Sequence, residues 1–101
     1  MRGRKDGNQQ AIVDALIHAH LSVVDLSNVP LNLPELSGLP DLLVGGYHQE
    51  LGIPISVLVE VKTPDGKLRP DQDNFVTWWR GEVHTVRTPG EALALFGIKY
   101  E

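Results

Sequence analysis

Two short apolar stretches carry charges that a buried strand does not hold without a reason. Gly38-Leu39-Pro40-Asp41-Leu42-Leu43-Val44-Gly45 and Ile55-Ser56-Val57-Leu58-Val59-Glu60-Val61-Lys62 both read as strands. Side chains alternate along a strand, so Glu60 and Lys62 share one face while Val57, Val59 and Val61 occupy the other. If the two strands pair, Asp41 joins Glu60 and Lys62 at one end of a sheet. Two carboxylates and an ammonium are costly there as plain core, because buried charges need partners or a metal. A divalent cation held by Asp41 and Glu60 resolves the conflict. Taken singly, Glu60 and Lys62 also read as a solvated pair on an open sheet face, and Asp41 as a turn residue after Pro40.

The rest of the chain supplies elements that can position these residues. Residues 8–20 have the spacing of an amphipathic helix, with Ile12, Val13, Leu16 and Ile17 as its apolar stripe and Ala15 and Ala19 beside them. Asn8 suits the N-cap, and Gln9, Gln10 and Asp14 fall on the wetter side. Residues 21–26 are β-branched and short, a strand. Residues 27–40, interrupted by Pro30, Pro34 and Pro40, read as loop. A second strand over 41–45 and a third over 55–63 are joined by a connection running from Gly45-Gly46 to Gly52, which makes them antiparallel neighbours. Thr63-Pro64-Asp65-Gly66 reads as a turn in which Gly66 accepts a positive φ. Pro70 opens a helix to Arg80 with Phe75, Trp78 and Trp79 at i, i+3 and i+4, stopped by Gly81. Residues 83–87 alternate as a fourth strand. Thr88-Pro89-Gly90-Glu91 has the form of a capping box before a last helix over 91–96. The predicted order is α-β-β-β-α-β-α, a mixed α/β (α+β) sheet.

Composition bounds the possibilities. The 101 residues make one domain, 1–101, with 1–7 as a flexible basic arm. The absence of cysteine removes disulfides and thiolate metal sites and fits a reducing compartment. No apolar run approaches the roughly 18 residues of a membrane span. Met1-Arg2-Gly3-Arg4-Lys5 leads into Asp6-Gly7-Asn8 rather than an apolar segment, so no secretory signal is expected. The net charge of −4 runs against phosphate binding unless metal neutralises the site. The basic residues Arg2, Arg4, Lys5, Lys62, Lys67 and Arg69 are nevertheless grouped.

Pro40-Asp41 followed at a distance by Glu60-Val61-Lys62 resembles the signature of the PD-(D/E)XK nuclease superfamily, whose restriction-endonuclease-like core has the order α-β-β-β-α-β. Gly38-Leu39-Pro40-Asp41-Leu42, Glu60-Val61-Lys62, Leu68-Arg69-Pro70-Asp71-Gln72 and Trp79-Arg80-Gly81, in that sequence, resemble the VRR-NUC family. The opening Asn8-Gln9 and closing Glu91-Ala92-Leu93 resemble its short, stand-alone phage members, so the resemblance spans nearly the whole chain.

The resemblance implies a metal-dependent endonuclease that hydrolyses DNA phosphodiesters to a 5′-phosphate and a 3′-hydroxyl. It implies structure-specific action on branched DNA such as four-way (Holliday) junctions, as a homodimer in the cytoplasm (the host's, if the chain is viral). Residue by residue, Asp41 and Glu60 correspond to metal-binding carboxylates and the Val61 carbonyl to a third ligand. Oxygen ligation suits Mg²⁺ or Mn²⁺. Lys62 corresponds to the residue that orients water and stabilises phosphate charge, and Gln72 to a glutamine on the next helix that orients water or ligand. Many relatives carry an acid on the first helix where this chain has Gln9, with Asp14 a turn further on; the missing charge is expected to lower metal affinity.

Other features remain open to two readings. His18, His20, His48 and His84 lack zinc-site spacing and read as structural or surface residues, with His48 a candidate for substrate contact from a loop near the site. Trp78 and Trp79 can stack on bases, but helical spacing with Phe75 favours at least one as core. A non-cleaving DNA- or protein-binding module on a nuclease fold is the alternative, and a partner subunit that supplies specificity is a third possibility.

Overall fold

The strand that alternates most regularly in the sequence becomes the interior of the sheet. A computed structural model describes residues 7–29 and 32–100. The expected basic arm lies, Gly7 apart, outside them. In chain order the elements are α1 (Gln9–His18), β1 (Ser22–Asp25), a 3-10 turn (Pro34–Leu36), β2 (Leu42–Tyr47), β3 (Pro54–Val61), α2 (Pro70–Trp78), β4 (Val83–Val86) and α3 (Pro89–Ala94). This is the expected mixed α/β arrangement, in the expected order, with the 3-10 turn added.

The sheet order is β1-β2-β3-β4. β1 and β3 both run antiparallel to β2, with Val24 opposite Leu43 and Leu42 opposite Val59. β4 lies parallel to β3, with Glu60 opposite Thr85 and Val61 opposite Val86. A parallel neighbour needs a crossover, and α2 provides it.

β3 is buried on both faces from Val57 onward. Val57, Val59 and Val61 join Leu42, Val44 and Val86 in the main core, closed by Ile12 and Leu16 of α1 and by Ala92, Leu93 and Phe96 from the C-terminal segment. The opposite face carries Leu58, Glu60 and Lys62, and there α2 reaches the sheet through a Gln72–Glu60 hydrogen bond. No helix among the described residues is long and apolar enough to cross a membrane.

Local details depart from expectation for identifiable reasons. The buried stripe of α1 is Gln9, Ile12 and Leu16, three positions at i, i+3 and i+7. Gln9 therefore lies on the buried side rather than the wetter one, and Ile17, about 100° round from Leu16, stands 55% exposed. α1 ends in a Schellman motif: His20 N–H bonds the Ile17 carbonyl at 2.9 Å and Leu21 N–H the Leu16 carbonyl at 3.1 Å. His20 takes the left-handed position at φ 67°.

Within the expected loop, Pro34, with its φ preset, starts the 3-10 turn. β2 continues past Gly45 because Gly46 admits Leu21; a Cβ there would stand 2.3 Å from Leu21 Cδ2. The 63–66 turn closes through Gly66 N–H to the Thr63 carbonyl at 2.9 Å, yet Gly66 is not among the positive-φ residues. α2 stops at Trp78 because Trp79 turns extended, φ −70° and ψ 127°, before Gly81 is reached. α3 begins at Pro89, the first helical position after the expected Thr88 cap though ahead of the expected 91–96 span, with the Thr88 hydroxyl accepting from Glu91 N–H at 3.1 Å. The Glu91 carboxylate accepts from Arg87 N–H, one residue before a standard capping box.

Candidate active site

Asp41 sits immediately before β2 and is held from both neighbouring strands. Its carbonyl accepts from Leu26 N–H at 2.7 Å, and its own N–H donates to the Val59 carbonyl at 3.1 Å. Its Oδ2 accepts from Val61 N–H at 2.8 Å. Pro40 breaks the backbone ladder at this point, and the Asp41 carboxylate takes over the partnership of a buried amide with a charge-assisted bond. Oδ1 makes no hydrogen bond among the described residues, so one carboxylate oxygen is available for a ligand.

Glu60 is the next residue to be placed, only 3% exposed. Its Oε2 accepts from Gln72 Nε2 at 3.0 Å and lies 3.9 Å from Lys62 Nζ. Burying such a carboxylate is expensive unless partners meet it. Lys62 is also buried, 8% exposed, so the pair is not the solvated one that an open sheet face would carry. Beyond that long ion pair, the Lys62 ammonium makes no hydrogen bond among the described residues, which leaves its donors for an incoming anion or water. Val61, fully buried, lies in the β3–β4 ladder opposite Val86.

Gln72 does two jobs with one amide. Its Oε1 accepts from Arg69 N–H at 2.8 Å and so caps α2, while its Nε2 holds Glu60. Arg69 has no acceptor to return the bond, so only this half of a capping box exists. The helix start is brought this close by Gly38, at φ 77°, whose missing Cβ would lie 2.1 Å from the Asp71 carbonyl oxygen. The loop before Asp41 thus packs directly on the backbone that carries Gln72.

Asn8 and Gln9 approach from α1. Asn8 occupies the N-cap position without capping. Its Nδ2 instead donates to the Lys62 carbonyl at 2.9 Å and the Arg87 carbonyl at 2.7 Å, tying the helix to the ends of β3 and β4. Gln9, the next residue, is 1% exposed. Asn8 Oδ1 and Gln9 Nε2 are both buried without a hydrogen-bond partner among the described residues. Orphaned buried polar atoms cost about 1–3 kcal/mol each, and here an acceptor and a donor are left at consecutive positions beside the strand end that carries Lys62. Just beyond, Arg87 Nη1 fastens the 63–66 turn by donating to the Thr63 carbonyl at 2.7 Å and the Gly66 carbonyl at 2.6 Å.

Asp41, Glu60, Lys62 and Gln72 are therefore gathered at one end of β2 and β3. Asp14 is exposed and bonds Gln10 at 2.8 Å. His48 is not near this site: it follows β2 at the opposite end, and its Nδ1 accepts from Glu50 and Leu51 N–H at 3.2 Å, shaping the hairpin loop. Arg69 pairs with Asp71 at 3.3 Å, while Lys67 makes no ion pair among the described residues. Neither tryptophan is core; Phe75 takes the buried position instead. The roles of Asn8 and Arg87 escaped sequence reading because the side chain of each bonds carbonyls far away in the chain, which leaves no local pattern.

No three side chains among His, Cys, Asp and Glu gather into a metal-holding group among the described residues. The local donors are two carboxylates, backbone carbonyls and amides. That set is oxygen-rich and hard, and one or two carboxylates plus waters and substrate phosphate is the usual complement for Mg²⁺. No family model, curated protein or solved structure matches this chain.

Proposed function

We propose that the chain is a metal-dependent endonuclease of VRR-NUC type, hydrolysing DNA phosphodiesters at the Asp41–Glu60–Lys62 site. The observation that carries this reading is a buried ammonium and a buried carboxylate on one face of β3, Lys62 and Glu60, with the Asp41 carboxylate fixed to the intervening Val61 amide. As a source of stability alone, a buried ion pair offsets little more than its own desolvation.

Asp41 through Oδ1, Glu60 and the Val61 carbonyl would hold Mg²⁺ or Mn²⁺, with Gln9 nearby in place of a further acid. When bound, the ion polarises a phosphoryl oxygen and lowers the pKa of water. Lys62 stabilises negative charge that develops on the phosphate and orients the attacking water. Water oxygen bonds to phosphorus, the P–O3′ bond breaks, and a proton passes to the departing 3′ oxygen. The products are a 5′-phosphate and a 3′-hydroxyl. Gln72 positions Glu60 through its Nε2. Symmetric cutting of a branched DNA needs two sites, which a homodimer supplies.

A second reading, a nuclease fold that binds without cutting, is favoured by the two-carboxylate donor set and the net charge of −4. Incubation with branched and linear DNA plus Mg²⁺ or Mn²⁺ separates them. Cleavage that Lys62→Ala abolishes supports the nuclease; binding without cleavage in either metal supports the second reading.

A further inference from the structure

Two indoles stand exposed where α2 ends, Trp78 at 59% and Trp79 at 41%. They are nonetheless rigidly mounted. Trp79 stacks on the buried Phe75 ring, with centroids 5.7 Å apart and planes 13° apart. Trp78 meets the same ring edge-on at 5.9 Å, and the indoles lie 6.1 Å from one another. Together with Arg80 and Gly81 they line an open cavity of about 270 Å³. Gly81 leaves room for Trp79, since a Cβ there would stand 2.7 Å from its Nε1. Arg80 is exposed and makes no hydrogen bond or ion pair among the described residues. The carboxylate that follows, Glu82, is paired with His84 at 3.1 Å.

We propose that Trp78 and Trp79 form a stacking platform for an unpaired nucleobase, with Arg80 taking the adjoining phosphate. The substrate class rests on the nuclease reading above. The platform lies roughly two helical turns beyond Gln72, about 10 Å along α2, so one strand can reach both it and the Glu60 site. Indole faces accept any base, but a base inside a duplex presents no free face. A chain of net charge −4 gains little from its overall field in gathering DNA. Stacking does not depend on that field, and an unpaired base at a branch point is the ligand such a platform selects.

The two tryptophans are the only ones in the chain, so intrinsic fluorescence reports the platform directly. The test titrates the full chain, in EDTA, with single-stranded oligothymidylate, an abasic strand and a duplex of equal length. Oligonucleotide anisotropy gives the affinity of variants. Quenching by oligothymidylate, with much weaker binding of the abasic strand and the duplex, is expected. Trp78→Ala should weaken single-strand binding roughly 5- to 150-fold, and Trp78→Phe should retain most of it.

Equal affinity for oligothymidylate in Trp78→Ala, equal binding of the abasic strand, or no quenching at all would overturn the proposal; the last is also what a protein partner or a second copy on this surface would give. The outcome separates from that of the nuclease reading. Stacking without cleavage by the wild type in Mn²⁺ upholds the platform and removes the nuclease, whereas cleavage with unaltered binding in Trp78→Ala does the reverse.

Discussion

Gln72 and Glu60 share a buried hydrogen bond of 3.0 Å that joins the first turn of α2 to the C-terminal end of β3. The same Gln72 amide caps the helix through Arg69 N–H, so helix capping and the orientation of Glu60 depend on one side chain. Gln72→Ala leaves the Arg69 amide without its cap and removes the Gln72 amide donor from Glu60. Unfolding in urea should show a loss of about 1–3 kcal/mol, and DNA cleavage should fall at least tenfold because Gln72 no longer orients Glu60.

Gly38 controls the same contact from the loop side. A Cβ at this position meets the Asp71 carbonyl, and its φ of 77° disfavours any L side chain. Gly38→Ala should cost about 2 kcal/mol or more, combining left-handed strain with the clash. Cleavage should fall with stability, because α2 is displaced. An unchanged urea midpoint would mean that the loop yields without moving the helix.

His20 offers a control remote from the site. It holds the left-handed position that closes α1, where glycine avoids the Cβ penalty. His20→Gly should raise stability by about 1 kcal/mol, read as a higher urea midpoint, with no effect on cleavage.

Gln9 tests the donor set. Its Nε2 is buried without a partner among the described residues, in a place where an acid would add negative charge. Gln9→Glu should tighten Mn²⁺ binding on the order of tenfold, as added ligand charge does, and lower stability when EDTA is present. Calorimetric titration and urea unfolding read the two effects separately.

The sheet and its charged face were legible because the information is local. Val57, Val59 and Val61 alternate with Leu58, Glu60 and Lys62, and no sequence separation intervenes. Capping at Thr88 was legible for the same reason. What escaped depends on pairings that no short window contains. Asn8 looked like an N-cap, yet its amide finds carbonyls at Lys62 and Arg87. Gln9 looked wet by polarity, although its spacing from Ile12 and Leu16 already put it on the buried stripe. His48 was placed near the site by sequence proximity to β2, whereas Asp41 and His48 flank opposite ends of that strand. Trp78 and Trp79 sat at core spacing from Phe75, but of the three only Phe75 is buried.

The most direct measurement is cleavage of branched and linear DNA by the wild type, Asp41→Asn and Lys62→Ala in Mg²⁺ and in Mn²⁺, with Mn²⁺ binding followed by calorimetry. Metal-dependent cleavage is expected. Lys62→Ala should lower the rate roughly 10²–10³-fold, as loss of a charge-stabilising donor does, and Asp41→Asn should abolish the Mn²⁺ heat. Absence of cleavage with both metals, or equal rates for wild type and Lys62→Ala, would contradict assignment of the Asp41–Glu60–Lys62 cluster as a nuclease site.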